Sequence, residues 1–119
     1  MKAFSVSVVL VALATACFGA DIRAGATMQV KANSIWFEEE AQLAYWQELK
    51  KSGKTAALAA YQKKALSERE AWQFLNPLSV KVLGYRSAKD RANVEMLTEG
   101  RMQGTTWWIE AGALVAPGQ

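Results

Sequence analysis

Histidine is absent from the 119 residues, and cysteine occurs once, at Cys17. The first absence excludes Ser-His-Asp and Cys-His nucleophilic sites and the common histidine-containing zinc sites. The second excludes an intramolecular disulfide. After the N-terminal segment no apolar run approaches the roughly 20 residues that cross a bilayer. Charge of one sign is also scarce. The chain has 14 basic and 11 acidic side chains, a formal +3, and the basic ones are spread along it with no arginine- or lysine-rich stripe. That pattern argues against nucleic acid as a partner. Gly100-Arg101-Met102-Gln103-Gly104 lacks the Lys-Ser/Thr ending of a phosphate loop.

The N-terminus, in contrast, is strongly patterned. Lys2 precedes an uncharged stretch from Phe4 to Ala16 whose centre, Val6 to Ala14, is almost wholly apolar. Small residues follow, and Ala14-Thr15-Ala16 fits an A-x-A cleavage site. The order of charge, apolar run and small residues predicts a secretory signal peptide over 1–16, or to 20, and hence a periplasmic or secreted protein. Leu13-Ala14-Thr15-Ala16-Cys17 resembles a bacterial lipobox with its leucine one position early. Cys17 is therefore the candidate lipidation site, and an N-terminal lipid is the only membrane attachment expected. Cleavage before Cys17 leaves 103 residues with 13 basic against 11 acidic side chains. That is enough chain for one core.

Residues 17–27 hold Gly19, Gly25 and three alanines without an apolar period, and are expected to be a tether. Met28, Val30 and Ala32 alternate with Gln29, Lys31 and Asn33, which predicts a strand that Ile35-Trp36-Phe37 extends. The period then becomes helical. Leu43, Trp46 and Leu49 form one stripe, Glu38-Glu39-Glu40 stand at the start, and Gly53 follows Lys50-Lys51 at the end. A helix over about 39–52 follows from these signals.

A second helix is expected from Thr55 to Asn76-Pro77. Leu58, Tyr61, Ala65 and Trp72 lie on one face, and proline ends the run. The hairpin of about 39–75 would then bury Trp46 against Trp72. The remainder alternates as β-structure: Leu78 to Tyr85, a polar turn at Ser87–Asp90, Ala92 to Leu97, then Thr105 to Glu110. Ala111-Gly112-Ala113 interrupts the last strand before Leu114-Val115. The expected domain, 28–116, is α+β.

This order of elements is similar to the SH3-like barrel, and its end resembles bacterial SH3 domains of exported proteins. Gly104, Trp108-Ile109, Glu110 to Ala113 and Leu114 stand where that family has its Gly-x-Trp-Val-x-x-x-x-Leu-like pattern. The likeness spans Leu78 to Val115 by motif and Met28 to Phe37 by topology, with the helical hairpin in place of the RT loop. It implies a small SH3-like antiparallel β-barrel or sheet with an inserted helical hairpin. It also implies that Trp36, Tyr85 and Trp108 approach one another along a groove.

The tryptophans are the main chemical feature of the expected mature chain. Strand alternation puts Trp107 and Trp108 on opposite faces, so one of them leaves the core, either under the hairpin or into solvent. Trp36, Tyr85, Trp107 and Trp108 are the candidate ligand-binding residues. Two carboxylate groupings have the right residue type for other chemistry: Glu95 with Glu110 on neighbouring strands, and Glu38 to Glu40. Both read more simply as solvated charges, so no catalytic residue, metal ligand or cofactor is expected. The expected function is a small non-catalytic binding or interaction module of the bacterial envelope. Its partner would be peptidoglycan or an envelope protein. The alternative is a periplasmic inhibitor or immunity-type protein that blocks a hydrolase or toxin.

Overall fold

A computed structural model describes residues 22–117. The expected signal peptide, Cys17 and the first part of the expected tether lie outside the described residues. Among the described residues seven strands and two helices make an α+β fold. In chain order they are β1 (Thr27–Val30), β2 (Ile35–Phe37), α1 (Glu40–Lys51), α2 (Thr55–Ser67), β3 (Ala71–Gln73), β4 (Leu78–Arg86), β5 (Arg91–Met96), β6 (Thr106–Glu110) and β7 (Leu114–Val115).

The strands form one antiparallel sheet in the order β3-β2-β6-β5-β4-β1-β7. It is open, with β3 and β7 at its edges, and is not a closed barrel. It must nevertheless curl. β1 and β2 are joined by Lys31–Ser34 alone, although three strands separate them in the sheet. Four flat inter-strand gaps need about 19 Å, and five extended Cα steps reach at most about 17 Å. The link is not even extended, because Asn33 sits at φ 66° and Ser34 N–H donates back to Lys31 O.

Curling encloses one face of the sheet. Met28, Val30, Trp36, Val80, Val82, Ala92, Val94, Met96, Trp107, Ile109 and Leu114 fill it as the main core. The opposite face carries a second core, in which Ile35, Phe37 and Ala71 of the sheet meet Leu43 and Trp46 of α1 and Ala65 of α2. The predicted helical stripe of α1 is the buried one: Leu43, Trp46 and Leu49.

Three expectations are corrected. The Met28–Phe37 segment is two strands, because the Asn33 turn carries the chain from one side of the curl to the other. Residues 22–26 do not hang free. Ile22 and Ala26 pack on the main core, and Gly25 N–H donates to Val82 O at 2.7 Å. The second helix stops at Ser67, well before Pro77. Arg69, at φ 62°, takes the left-handed C′ position, Arg69 N–H donates to Leu66 O, and Glu70 N–H donates to Ala65 O. These are the two bonds of a Schellman motif. The chain reverses into β3, which places Trp72 opposite Trp36. Trp72 therefore packs on the main core with Phe74 and Trp107, on the other side of the sheet from Trp46.

Candidate functional site

The four aromatic residues singled out in the sequence do not form a groove. Trp36 and Trp107 are buried in the main core, edge to face with each other at 6.2 Å. Trp108 faces the other way, half-buried beneath the helices, as alternation requires. The Arg86 guanidinium lies 5.7 Å above its ring. Tyr85 pairs with Ala92 near the end of β4 and is 41% exposed. Trp36 and Trp108 are thus on opposite faces of the sheet.

The carboxylate groupings also come apart. Glu95 is opposite Thr106 and Glu110 is opposite Arg91, so the two glutamates lie four residues apart in register. At the start of α1, Glu40 turns to the sheet and pairs with Arg86 at 2.8 Å and Arg91 at 3.3 Å. Glu39 instead donates its backbone N–H to Gln42 Oε1, which fixes the first turn of the helix.

What the fold does assemble borders α1. One cleft, of about 410 Å³, opens between the C-terminal half of α1 and the β4–β5 turn. Gln47, Lys50 and Lys51 line one wall, and Lys89, Asp90 and Arg91 the other. Asp90 closes the turn in the left-handed region at φ 53°, which aspartate tolerates better than most residues. Its Oδ1 accepts from Gly112 N–H at 2.9 Å, tying the turn to the break after β6.

A second cleft, of about 280 Å³, lies beneath the helices at the β1–β2 turn. Trp46 and Ile35 give it an apolar side, and Gln62, Gln73, Asn33 and Ser34 a neutral polar one. The two glutamines are held in complementary ways. Gln62 Oε1 accepts from Trp46 Nε1 at 3.0 Å, so its amide N–H groups, bonded to no protein group among the described residues, remain as donors. Gln73 Nε2 donates to Asn33 O at 2.7 Å, which leaves its carbonyl oxygen as an acceptor.

Glu110 lines both clefts. Lys50 Nζ holds its Oε1 at 2.7 Å and Gln47 Nε2 its Oε2 at 3.2 Å. Gln47 Nε2 also donates to Asp90 O, and Gln47 Oε1 accepts from Arg91 Nε at 2.8 Å. Lys50 completes the junction by standing 4.4 Å over the Trp46 ring. A carboxylate held at both oxygens is a fixed acceptor in a polar network. The arrangement thus offers the edge of a largely buried indole, one amide donor, one amide acceptor and a charged rim. That is a set suited to recognising a small polar ligand. The sequence marked Trp46 as core and Glu110 as one of a carboxylate pair. It carried no signal for Gln47, Gln62, Gln73 or Asn33.

The architecture defines the class of the protein, a small α+β domain in which two helices cover part of a curled antiparallel sheet. No protein-family model, curated protein or solved structure matches the chain. Among the described residues no helix is long and apolar enough to cross a membrane.

Proposed function

We propose that this chain is an exported, non-catalytic binding module of the bacterial cell envelope, SH3-like in its strand plan, with peptidoglycan as its ligand. Support for the strand plan comes from the β4-β5-β6 meander, the one-turn break at Ala111–Ala113, and the return of β7 to pair with β1. The helical hairpin then occupies the long excursion between β2 and β3.

The observation that carries the ligand is the Trp46 cleft. An N-acylated sugar presents an acetamido N–H and C=O for the Gln73 acceptor and the Gln62 donors, and an acetamido methyl for the edge that Trp46, otherwise buried at 9% exposure, shows to the cleft. The test is co-sedimentation of the full chain with purified cell-wall sacculi. Binding by wild type and its loss in Trp46→Leu and Gln62→Leu, with both variants folded by circular dichroism, is the expected result. No sedimentation of the wild type overturns the reading.

One feature favours the inhibitor-type alternative. Leu75 is 79% exposed on the short β3–β4 loop, beside an apolar hollow lined by Phe74, Leu78, Met96 and Met102. A protruding leucine on a loop ending in Pro77 suits insertion into a partner protein. A one-to-one complex with an envelope hydrolase that Leu75→Asp dissociates is the result that reading requires.

A further inference from the structure

We infer that the cleft between α1 and the β4–β5 turn is a carboxylate subsite, so that the ligand is an N-acylated sugar carrying an acidic peptide substituent. This rests on the peptidoglycan reading of the Trp46 cleft and adds the second half of the ligand. The argument begins with the charges that line the cleft. Four are cationic (Lys50, Lys51, Lys89 and Arg91) and three anionic (Glu48, Asp90 and Glu110).

Each anion already has a donor. Glu48 accepts from Ser52 Oγ, Asp90 from Gly112 N–H, and Glu110 from Lys50 and Gln47. Two cations are likewise engaged, Lys50 with Glu110 and Arg91 with Glu40. Lys51 and Lys89 have no hydrogen-bond or ion-pair partner among the described residues. One stands on the helix wall and the other on the turn wall of the same cleft. With every anion of the lining already engaged, two exposed ammonium groups without partners on its opposite walls leave the cleft favourable to an anionic group.

The neighbouring cleft has no free cation in its lining and takes neutral hydrogen-bonding groups. Because Glu110 is common to both, a ligand spanning the junction places a neutral ring on one side and an acidic tail on the other. The Lys50–Glu110–Gln47 bridge stands between the two sides.

The test compares two probes that differ at one group, N-acetylmuramyl-L-alanyl-D-isoglutamine and its carboxamide, by titration calorimetry against the full chain. The acid is expected to bind roughly two- to tenfold tighter, the range for two partly exposed ion pairs. The preference should fall to about one in the Lys51→Gln, Lys89→Gln double variant and persist in Lys64→Gln, which lies on α2 outside both clefts. Trp46→Leu should weaken both probes together. Equal binding of acid and amide by wild type overturns the carboxylate subsite and leaves the sugar reading standing. Binding of neither probe overturns the sugar reading and the subsite with it.

Discussion

The two helices are adjacent in sequence and similar in length, yet the sheet holds them very differently. α1 buries Leu43, Trp46 and Leu49, and its polar flank reaches the sheet through Glu40, Gln47 and Lys50. α2 buries only Ala65 fully, and Leu58, Tyr61 and Leu66 are half-covered. Its alanines at 56, 57, 59 and 60 are exposed. Helices of 12 and 13 residues are marginal on propensity alone in water. α1 is therefore a product of tertiary packing. α2 combines strong intrinsic propensity with a light attachment, which makes it the lower-stability unit of the pair. Both candidate clefts border α1, and only Gln62 comes from α2.

The largest expected effect separates the helices by their anchors. Leu43 is fully buried between α1 and the sheet. Leu43→Ala should destabilise the protein by about 2–5 kcal/mol, the transfer and cavity cost of a buried leucine. Leu58→Ala should cost roughly 1 kcal/mol, because its side chain is only half-covered and alanine favours the helix. Chemical denaturation of both variants measures the contrast. Similar losses would show that α2 is as firmly packed as α1.

A smaller effect concerns how the helices end. Both close with a Schellman motif. At the end of α1, Gly53 stands at C′ with φ 71° and donates to Lys50 O, while Lys54 N–H donates to Leu49 O. At the end of α2 the same position is filled by Arg69 at φ 62°. Left-handed backbone costs a side-chain-bearing residue about 1–2 kcal/mol, partly offset by the extra unfolded-state freedom of glycine. Arg69→Gly should therefore stabilise by about 0.5–1 kcal/mol, and Gly53→Ala should destabilise by about as much. A β-carbon at Gly53 would meet nothing within 4 Å, so its cost is conformational alone. Opposite shifts in melting temperature are the expected reading.

That same contrast explains what was legible in the sequence. Gly53 announces the end of α1, and its stripe of Leu43, Trp46 and Leu49 announces the buried face. No such mark appears at Arg69, and Trp72 continues the helical spacing of Leu58 and Ala65. Trp72 and Phe74 alternate equally well as a strand, and the backbone reversal at Arg69 decides between the two periods. The β4-β5-β6 meander was legible because each strand buries alternate residues on the main core. The candidate site was not. Tryptophans draw attention in a sequence, but Trp36 and Trp107 serve packing. The amides that line the clefts sit at positions 33, 47, 62 and 73, with no spacing that local structure would impose, and only the packing of the helices on the sheet gathers them.

The smallest expected effect is on pH dependence, and it again falls on α2. Tyr61 stacks on Phe37 at 6.5 Å and meets Tyr45 edge to face at 4.8 Å. Burial raises its pKa above the ordinary phenol value of 10.0, with smaller contributions in the same direction from the charges of Glu70 and Tyr45. The folded state therefore holds this proton more tightly than the unfolded state. The associated stability is fully present below pH 10 and is lost as pH rises through the higher folded value. Ionised Tyr61 is less favourable beside Phe37 than the neutral phenol, which weakens the hold on α2 while the anchors of α1 stay in place. Melting of wild type and Tyr61→Phe at neutral pH and near pH 11 should show a steeper alkaline loss for wild type, since phenylalanine keeps the stacking and cannot ionise. Parallel alkaline profiles would mean that Tyr61 moves freely into solvent, and that α2 is held even more lightly than its contact with Phe37 indicates.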